Sequence, residues 1–340
     1  MLGVRKADDE ANEGMDQIAW DELWRDATAF DAAVAVTPRI DRYCSSSLWT
    51  LPAHEAFHPT HEPFVLRSAA GWGAFCFGET PTIGRYLAPL ESMWGLACPL
   101  VGDASERLAY DFFRTAFAHR ARWDALWIGG LHRESVMFRS LASLFQTTCS
   151  VRWGPESRRY ATDLTGGWDG WLGRRSAHFR ANLRRALRQA EGEGVAFTPI
   201  ATPPDTDPAA IYGRVLAIEG RSWKGLEDAG FSSGAMNVFY RHAFDRLVPN
   251  AGLRGIIARR ENEDIGFVFG GVFQDTYRGL QMSFDDRFRH LSLGNVLQAQ
   301  MIRALAAEGV AIYDLGSEIE YKSRWSEPGI TTVTLVVLRR

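Results

Sequence analysis

Apolar and polar residues change their spacing repeatedly along the chain, and the changes predict alternating helices and strands. The clearest case lies between residues 283 and 325. Leu297, Met301, Ala304 and Leu305 fall on one helical face, Glu308-Gly309 stops that helix, and the apolar run Val310–Leu315 suits a buried strand. Gly294-Asn295 is expected to cap the helix start, leaving free amides near the loop before it. Upstream, the spacing predicts strands over 253–259, 265–273 and 277–284, with Gln274-Asp275-Thr276 as a hairpin turn. Helices are expected over 209–222 and 237–247, after a loop marked by Pro203-Pro204 and Asp207-Pro208. A further strand covers 158–164. Trp168 then opens one long helix with an apolar stripe through Leu172, Phe179, Leu183, Leu187 and Ala190, stopped at Gly192-Glu193-Gly194 and followed by strand 195–197.

The first half reads similarly. A helix is predicted from Asp16 to Ala29, strand-like sequence over 65–77 and 86–90, an amphipathic helix over 104–118 and a strand over 125–128. Strand 331–338 closes the chain. Strands, then a helix, then a strand occur in both halves, which predicts an α/β protein of mixed sheet built from two related units, 15–150 and 151–340, behind a loose tail at 1–14.

Composition narrows the class. The 340 residues are 46% hydrophobic and 23% charged, as in a globular protein, and no apolar run reaches the ~20 residues of a membrane-spanning helix. The N-terminus is acidic and lacks the apolar core of a secretory signal. Cys44, Cys76, Cys98 and Cys149 are scattered without metal-ligand spacing, so neither a disulfide framework nor a metal site is expected, and a reducing cytoplasm suits them. No serine sits in a nucleophile elbow.

Charge is unevenly placed. Residues 1–150 hold 13 basic and 19 acidic side chains, whereas 151–340 hold 25 and 22, so anionic ligands should prefer the second half. From Arg152 to Arg188 nine arginines meet three acids. An RNA acceptor stem, a nucleotide phosphate, an anionic surface or plain solvent would all suit that face. Of the 38 basic residues only Lys6, Lys224 and Lys322 are lysine. Lysine offers a compact ammonium of tunable pKa that arginine cannot imitate, and Trp223-Lys224-Gly225 and Tyr321-Lys322-Ser323-Arg324-Trp325 place two of them beside aromatics.

Several short motifs share an order. They are Ser176-(x)2-Phe179-Arg180-(x)-Asn182-Leu183-Arg184-Arg185, Trp223-Lys224-Gly225, Ser292-Leu293-Gly294-(x)2-Leu297, and Asp314-Leu315-Gly316 ahead of Tyr321-Lys322-(x)2-Trp325. With these, residues 155–326 resemble the FemAB-like acyltransferases of the GNAT superfamily, most closely the BioF2-like acetyltransferase domain. The resemblance implies a tandem GNAT-like fold whose first unit is degenerate. It also implies transfer of an acyl group from acyl-coenzyme A, or from aminoacyl-tRNA, to an amine or hydroxyl, without a metal. The sequence departs from the usual pyrophosphate loop: Arg289-His290-Leu291-Ser292-Leu293-Gly294 keeps one glycine.

Under that resemblance Lys322 falls at the lysine thought to stabilise the transferred carbonyl, with Tyr321 beside it. Asp285 and Asp314 are candidate bases, alongside transfer by positioning alone. Arg287, Arg289, Ser292, Gly294 and Asn295 would hold the donor phosphates at a helix start. Trp223, Lys224, Ser283 and Trp325 would line the acceptor side, and the Arg174–Arg188 helix could meet a tRNA. A binding module without catalysis stays open. The acceptor (peptide, glycan or small molecule) and the oligomeric state are not legible.

Overall fold

The computed structural model describes residues 14–200, 203 and 205–340. The expected tail therefore lies, apart from Gly14, outside the described residues, as do Lys6 and Pro204. The described residues divide into two compact units: one within 14–51, 60–156 and 332–340, the other within 52–59 and 157–331.

In the first unit, strands Asp16–Ile18, Glu62–Ser68, Gly71–Thr80, Gly84–Pro89, Ala125–Leu131 and the end of Glu327–Arg339 lie side by side in that order. All neighbours are antiparallel except Gly84–Pro89 with Ala125–Leu131, which run parallel through Tyr86–Leu87 and Ala125–Leu126. A crossover helix, Ser105–Ala118, joins that parallel pair, as parallel neighbours require. The core gathers Phe64, Phe75, Leu87, Phe112, Trp123, Leu126 and Phe145.

The second unit repeats this plan. Its elements are β1 (Cys149–Asp163, ending in this unit), α1 (Gly167–Gly173), α2 (Ala177–Gly192), β2 (Val195–Pro199), α3 (Pro208–Glu219), α4 (Trp223–Leu226), α5 (Gly234–Leu247), β3 (Leu253–Arg260), β4 (Glu263–Phe273), β5 (Thr276–Phe284), α6 (Leu293–Glu308) and β6 (Ile312–Ser317). The strand order is β1-β6-β5-β4-β3-β2, with β5 and β6 parallel and every other neighbour antiparallel. Again one helix, α6, crosses between the parallel strands. The two related halves read from the element order thus share one five-strand plan, the sixth strand coming from the last strand of the chain in the first unit and from the strand that opens the second, and together they form a tandem GNAT-like fold.

The parallel pair in each unit diverges after a few residues, and the gap is treated differently. In the first unit it is filled by the chain itself: a Cβ on Gly130 would lie 2.3–2.5 Å from the backbone of Ala97 and Cys98. The filling loop is held by fully buried Glu91, whose carboxylate accepts from the amides of Trp94, Gly95, Leu96 and Ala97 at 2.7, 3.3, 2.9 and 3.0 Å. In the second unit β5 and β6 pair only through Thr276–Arg278 and Ile312–Asp314, and β5 continues to Phe284 without β6 beside it. A bulge between Asp314 and Gly316, with Gly316 at φ +89°, turns β6 away and leaves a cleft.

Several expectations need correction. The helix expected from Asp16 to Ala29 is a short strand followed by helices Trp20–Arg25 and Thr28–Val36, because extended Asp26 breaks it and its carboxylate caps the Thr28 amide. The stretch 65–77 is two strands turned near Gly71 (φ +145°). The long helix from Trp168 is α1 and α2, interrupted where Ser176 turns extended and caps α2 by accepting from the Phe179 amide at 3.2 Å. Residues 209–222 end earlier, at Glu219, and Ser222 caps the separate α4. Gly294-Asn295 is not a cap: α6 starts at Leu293, and Ser292 precedes it in the left-handed conformation (φ 53°). Helices Ser47–Phe57 and Val136–Gln146 were not anticipated.

Candidate functional site

Two cavities of the second unit meet at Tyr321, which lines both. The smaller, about 190 Å³, is the cleft opened by the divergence of β5 and β6. Gly279, Leu280, Gln281 and Met282 of β5 form one wall, Tyr313 and Leu315 of β6 the other, with Lys224, Gln298, Tyr321 and Lys322 completing it. The larger, about 860 Å³, lies against α2 and the start of α6. Arg174, Arg175, Arg185, Arg324, His178 and His290 contribute to its lining, together with Ser292 and Asn295, and no carboxylate does.

Lys322 is built into the cleft by its neighbours. It sits in a 3-10 turn, Glu320–Arg324, whose far end is pinned by Trp325. The Trp325 ring stacks on Trp171 at 5.7 Å and meets Phe179 edge-on at 4.9 Å, while the Trp171 indole donates to the Trp325 carbonyl at 3.0 Å. That anchored turn leaves the Lys322 side chain buried, with Nζ donating to the Ser317 carbonyl at 2.9 Å. Burial, with the nearby Arg278 guanidinium, pulls its pKa down to about 8, against the opposing pull of Asp314. Asp314 is already committed: one carboxylate oxygen accepts from Arg278 at 2.7 Å and the other from the Gly316 amide at 2.7 Å. It holds the bulge and the guanidinium.

Lys224 approaches from α4. Its Nζ donates to the Met282 carbonyl at 3.2 Å and to Gln281 Oε1 at 3.4 Å, and Gln281 is oriented by donating to the Tyr240 hydroxyl at 2.9 Å. Burial lowers the Lys224 pKa, with Glu219 acting in the opposite direction. At the cleft floor the Tyr313 hydroxyl donates to Gln298 Oε1 at 3.1 Å. Gly279 makes room for that tyrosine, since a Cβ there would lie 3.0 Å from its ring.

The sequence candidates thus separate. Lys322, Lys224 and Tyr321 come together at the cleft; Ser292, Asn295 and Trp325 reach the larger cavity. Asp285, Ser283, Trp223, Arg287, Arg289, Gly294 and Asp314 line neither. Asp285 is buried and accepts from Arg221 Nε at 2.7 Å and Arg287 Nη2 at 2.7 Å; burial would raise its pKa, but these hydrogen bonds outweigh it and hold the carboxyl low. Arg287 also bonds Glu263 at 2.5 Å, and Arg289 pairs with Asp286 at 3.4 Å. Ser283 is buried in β5, its hydroxyl without a partner among the described residues. Trp223 is 48% exposed. Sequence reasoning missed Arg278, Gln281, Gln298 and Tyr313. A buried arginine inside strand-like sequence was the available signal for Arg278.

Residues 177–323 match the family model described as an acetyltransferase (GNAT) domain, so the second unit carries a GNAT domain, as its motifs implied. Over nearly the whole chain the fold is similar to that of FemX, a crystal structure that superposes with a TM-score of 0.65 at 10% identity, covering 96% of this chain and 98% of that one. L-PGS from Bacillus licheniformis is similar at a TM-score of 0.54 and 12% identity, covering 93% and 92%. A conserved protein of unknown function from Bacteroides thetaiotaomicron gives 0.58 at 14%, covering 96% and 99%. At these identities the likeness is one of fold. No curated protein matches the sequence. No helix among the described residues is long and apolar enough to cross a membrane, and no group of three or more His, Cys, Asp or Glu among them could hold a metal ion.

Proposed function

We propose that the chain is an acyltransferase of the GNAT type, moving an acyl group from acyl-coenzyme A to an amine or hydroxyl, with chemistry at the Lys322 cleft. The observation that carries this reading is a buried ammonium on the wall of a small cleft that joins a larger arginine-lined cavity, where Arg174 and Arg175 pair with Glu327 while Arg185 and Arg324 form no ion pair among the described residues. Phosphates of the donor would sit in the larger cavity, near Arg185 and Arg324 and the first-turn amides of α6.

The acceptor nitrogen or oxygen attacks the thioester carbonyl carbon, and the C–O π bond opens to an oxyanion. The Lys322 ammonium, held in place before reaction, stabilises that charge. Collapse restores the carbonyl and breaks the C–S bond, the thiolate leaves with the electron pair, and the proton lost by the acceptor ends on thiolate or solvent. No carboxylate lines the cleft. Transfer here is therefore driven by positioning and charge, with neither Asp285 nor Asp314 as base.

A second donor, aminoacyl-tRNA, is favoured by two observations. The loop arginines Arg287 and Arg289 are neutralised by Asp285, Glu263 and Asp286. Exposed Arg184 and Arg188 extend the basic face of α2 beyond the cavity. A thermal-shift panel with acetyl-coenzyme A, longer acyl-coenzyme A species and charged tRNA tests both. Stabilisation by a thioester supports the leading reading; stabilisation by tRNA alone, lost with added salt and with Arg184→Glu/Arg188→Glu, supports the second. A flat panel refutes both and points to a binding module without catalysis. The BioF2-like assignment and a cytoplasmic location belong to this proposal.

A further inference from the structure

Of the three cations around the small cleft, Arg278, Lys224 and Lys322, one is ion-paired among the described residues. Arg278 of β5 is matched by Asp314 of β6 at 2.7 Å. Lys224 of α4 feels the field of Glu219 at the end of α3, a carboxylate with no solvent exposure, but forms no ion pair with it; the described donor to that carboxylate is the Ser222 hydroxyl at 3.3 Å. Tyr321, Tyr313 and Tyr240 complete the titratable groups packed there. Lys322 likewise has no carboxylate of its own, because Asp314 gives one oxygen to Arg278 and the other to the Gly316 amide. A buried ammonium at rest is costly unless something anionic meets it. The transient oxyanion of the transfer step cannot serve the resting protein.

The hydrogen-bonding inventory leans the same way. One Lys322 N–H goes to the Ser317 carbonyl, leaving two. Two Lys224 N–H groups go to Met282 and Gln281, leaving one. Gln298 uses its oxygen on Tyr313, leaving its amide nitrogen as a donor at the cleft floor. The spare capacity of the lining side chains is almost all donor, in a space of about 190 Å³.

We propose that the cleft takes a carboxylate, and that the acyl acceptor is a small amine bearing one, an amino carboxylate held by Lys322 and Lys224 while its nitrogen attacks. The amine half rests on the acyltransferase reading; the carboxylate half rests on the charges and donors of the cleft. Of the two spare Lys322 N–H groups, one meets the carboxylate and the other the transferred carbonyl oxygen.

Binding without any donor tests this separately from turnover. The full chain is titrated calorimetrically at pH 8 with glycine, β-alanine and acetate, and with glycinamide and acetamide, in two buffers of different ionisation heat. The carboxylates are expected to bind and the amides not. Because Lys322 is close to half-charged near pH 8, an arriving carboxylate should draw about 0.4 proton per site from solvent. Lys322→Met should abolish binding and uptake together, whereas Lys322→Arg should keep binding and lose the uptake. Amides binding as well as the acids, no carboxylate binding, or uptake surviving in Lys322→Met would each overturn the proposal. Carboxylate binding in a protein that turns over no acyl donor would sink the acyltransferase reading and leave the carboxylate site standing.

Discussion

Replacing Lys322 by methionine removes the charge from the cleft while keeping a flexible chain of similar length, and the effect on stability can be worked out in advance. Burial beside Arg278 brings the Lys322 pKa from an ordinary 10.5 to about 8. A base whose folded value is depressed binds fewer protons folded than unfolded between those two values, so folding at neutral pH carries a penalty that fades as pH rises through about 8 to 10.5. The gap corresponds to about 3 kcal/mol, from which loss of the Nζ hydrogen bond to Ser317 takes back about 1. Lys322→Met should therefore be the more stable protein at pH 7 by about 2 kcal/mol, a rise in melting temperature of roughly 4–8 °C for a unit of this size. The assay is thermal or urea unfolding of both proteins at matched pH from 7 to 10. Titrations common to both cancel in the difference, and that difference should shrink toward the alkaline end. A variant destabilised at pH 7, or an advantage flat across the range, would refute the claim that the lysine sits buried and uncompensated.

Three other outcomes follow from contacts already described. Glu91→Ala should destabilise the first unit by about 2–4 kcal/mol in urea unfolding, since it strips a partner from four backbone amides around a buried carboxylate. Gly316→Ala should cost about 1–2 kcal/mol, because φ is +89° there and the new Cβ would lie 3.3 Å from the Arg278 guanidinium and 3.5 Å from Lys322 Nζ; acyl transfer should fall with it. Asp285→Asn should lower the melting temperature by loosening Arg221 and Arg287 yet leave the pH dependence of transfer unchanged, whereas loss of an ionisation from the rate profile would restore Asp285 as a base.

How much of this was legible beforehand depended on whether the determining contacts were local. Helix α6 and its stop at Gly309 were readable, because one face repeats at helical spacing and Gly309 has φ +88°. The hairpin joining β4 and β5 was readable from its two-residue turn, where Phe273 pairs with Thr276. Helix Ser47–Phe57 was not: residues 47–54 are all buried, so no polar face marks a period, and Pro52 lies inside it. At the site, Lys322 and Lys224 stood out by rarity. Asp285 looked available because it follows a strand, but its partner Arg221 lies 64 residues earlier. Asp314 and Arg278 are likewise joined across 36 residues by the parallel pairing of β5 and β6, which no local pattern announces. The fate of the gap in each unit, filled by the Glu91 loop or left open, depends on the same long-range packing.

The claim at the centre is that a buried lysine in an open GNAT cleft promotes acyl transfer. Single-turnover transfer of a labelled acyl group to an amine acceptor, from whichever donor stabilises the protein, tests it most directly in the wild type, Lys322→Arg and Lys322→Met. The account predicts a wild-type rate that falls relative to that of Lys322→Arg as pH rises through about 8, where the ammonium is lost while acceptor ionisation is common to both, and a Lys322→Met rate lower by about 10²-fold or more. Transfer by Lys322→Met at the wild-type rate, with the same pH profile, would contradict it.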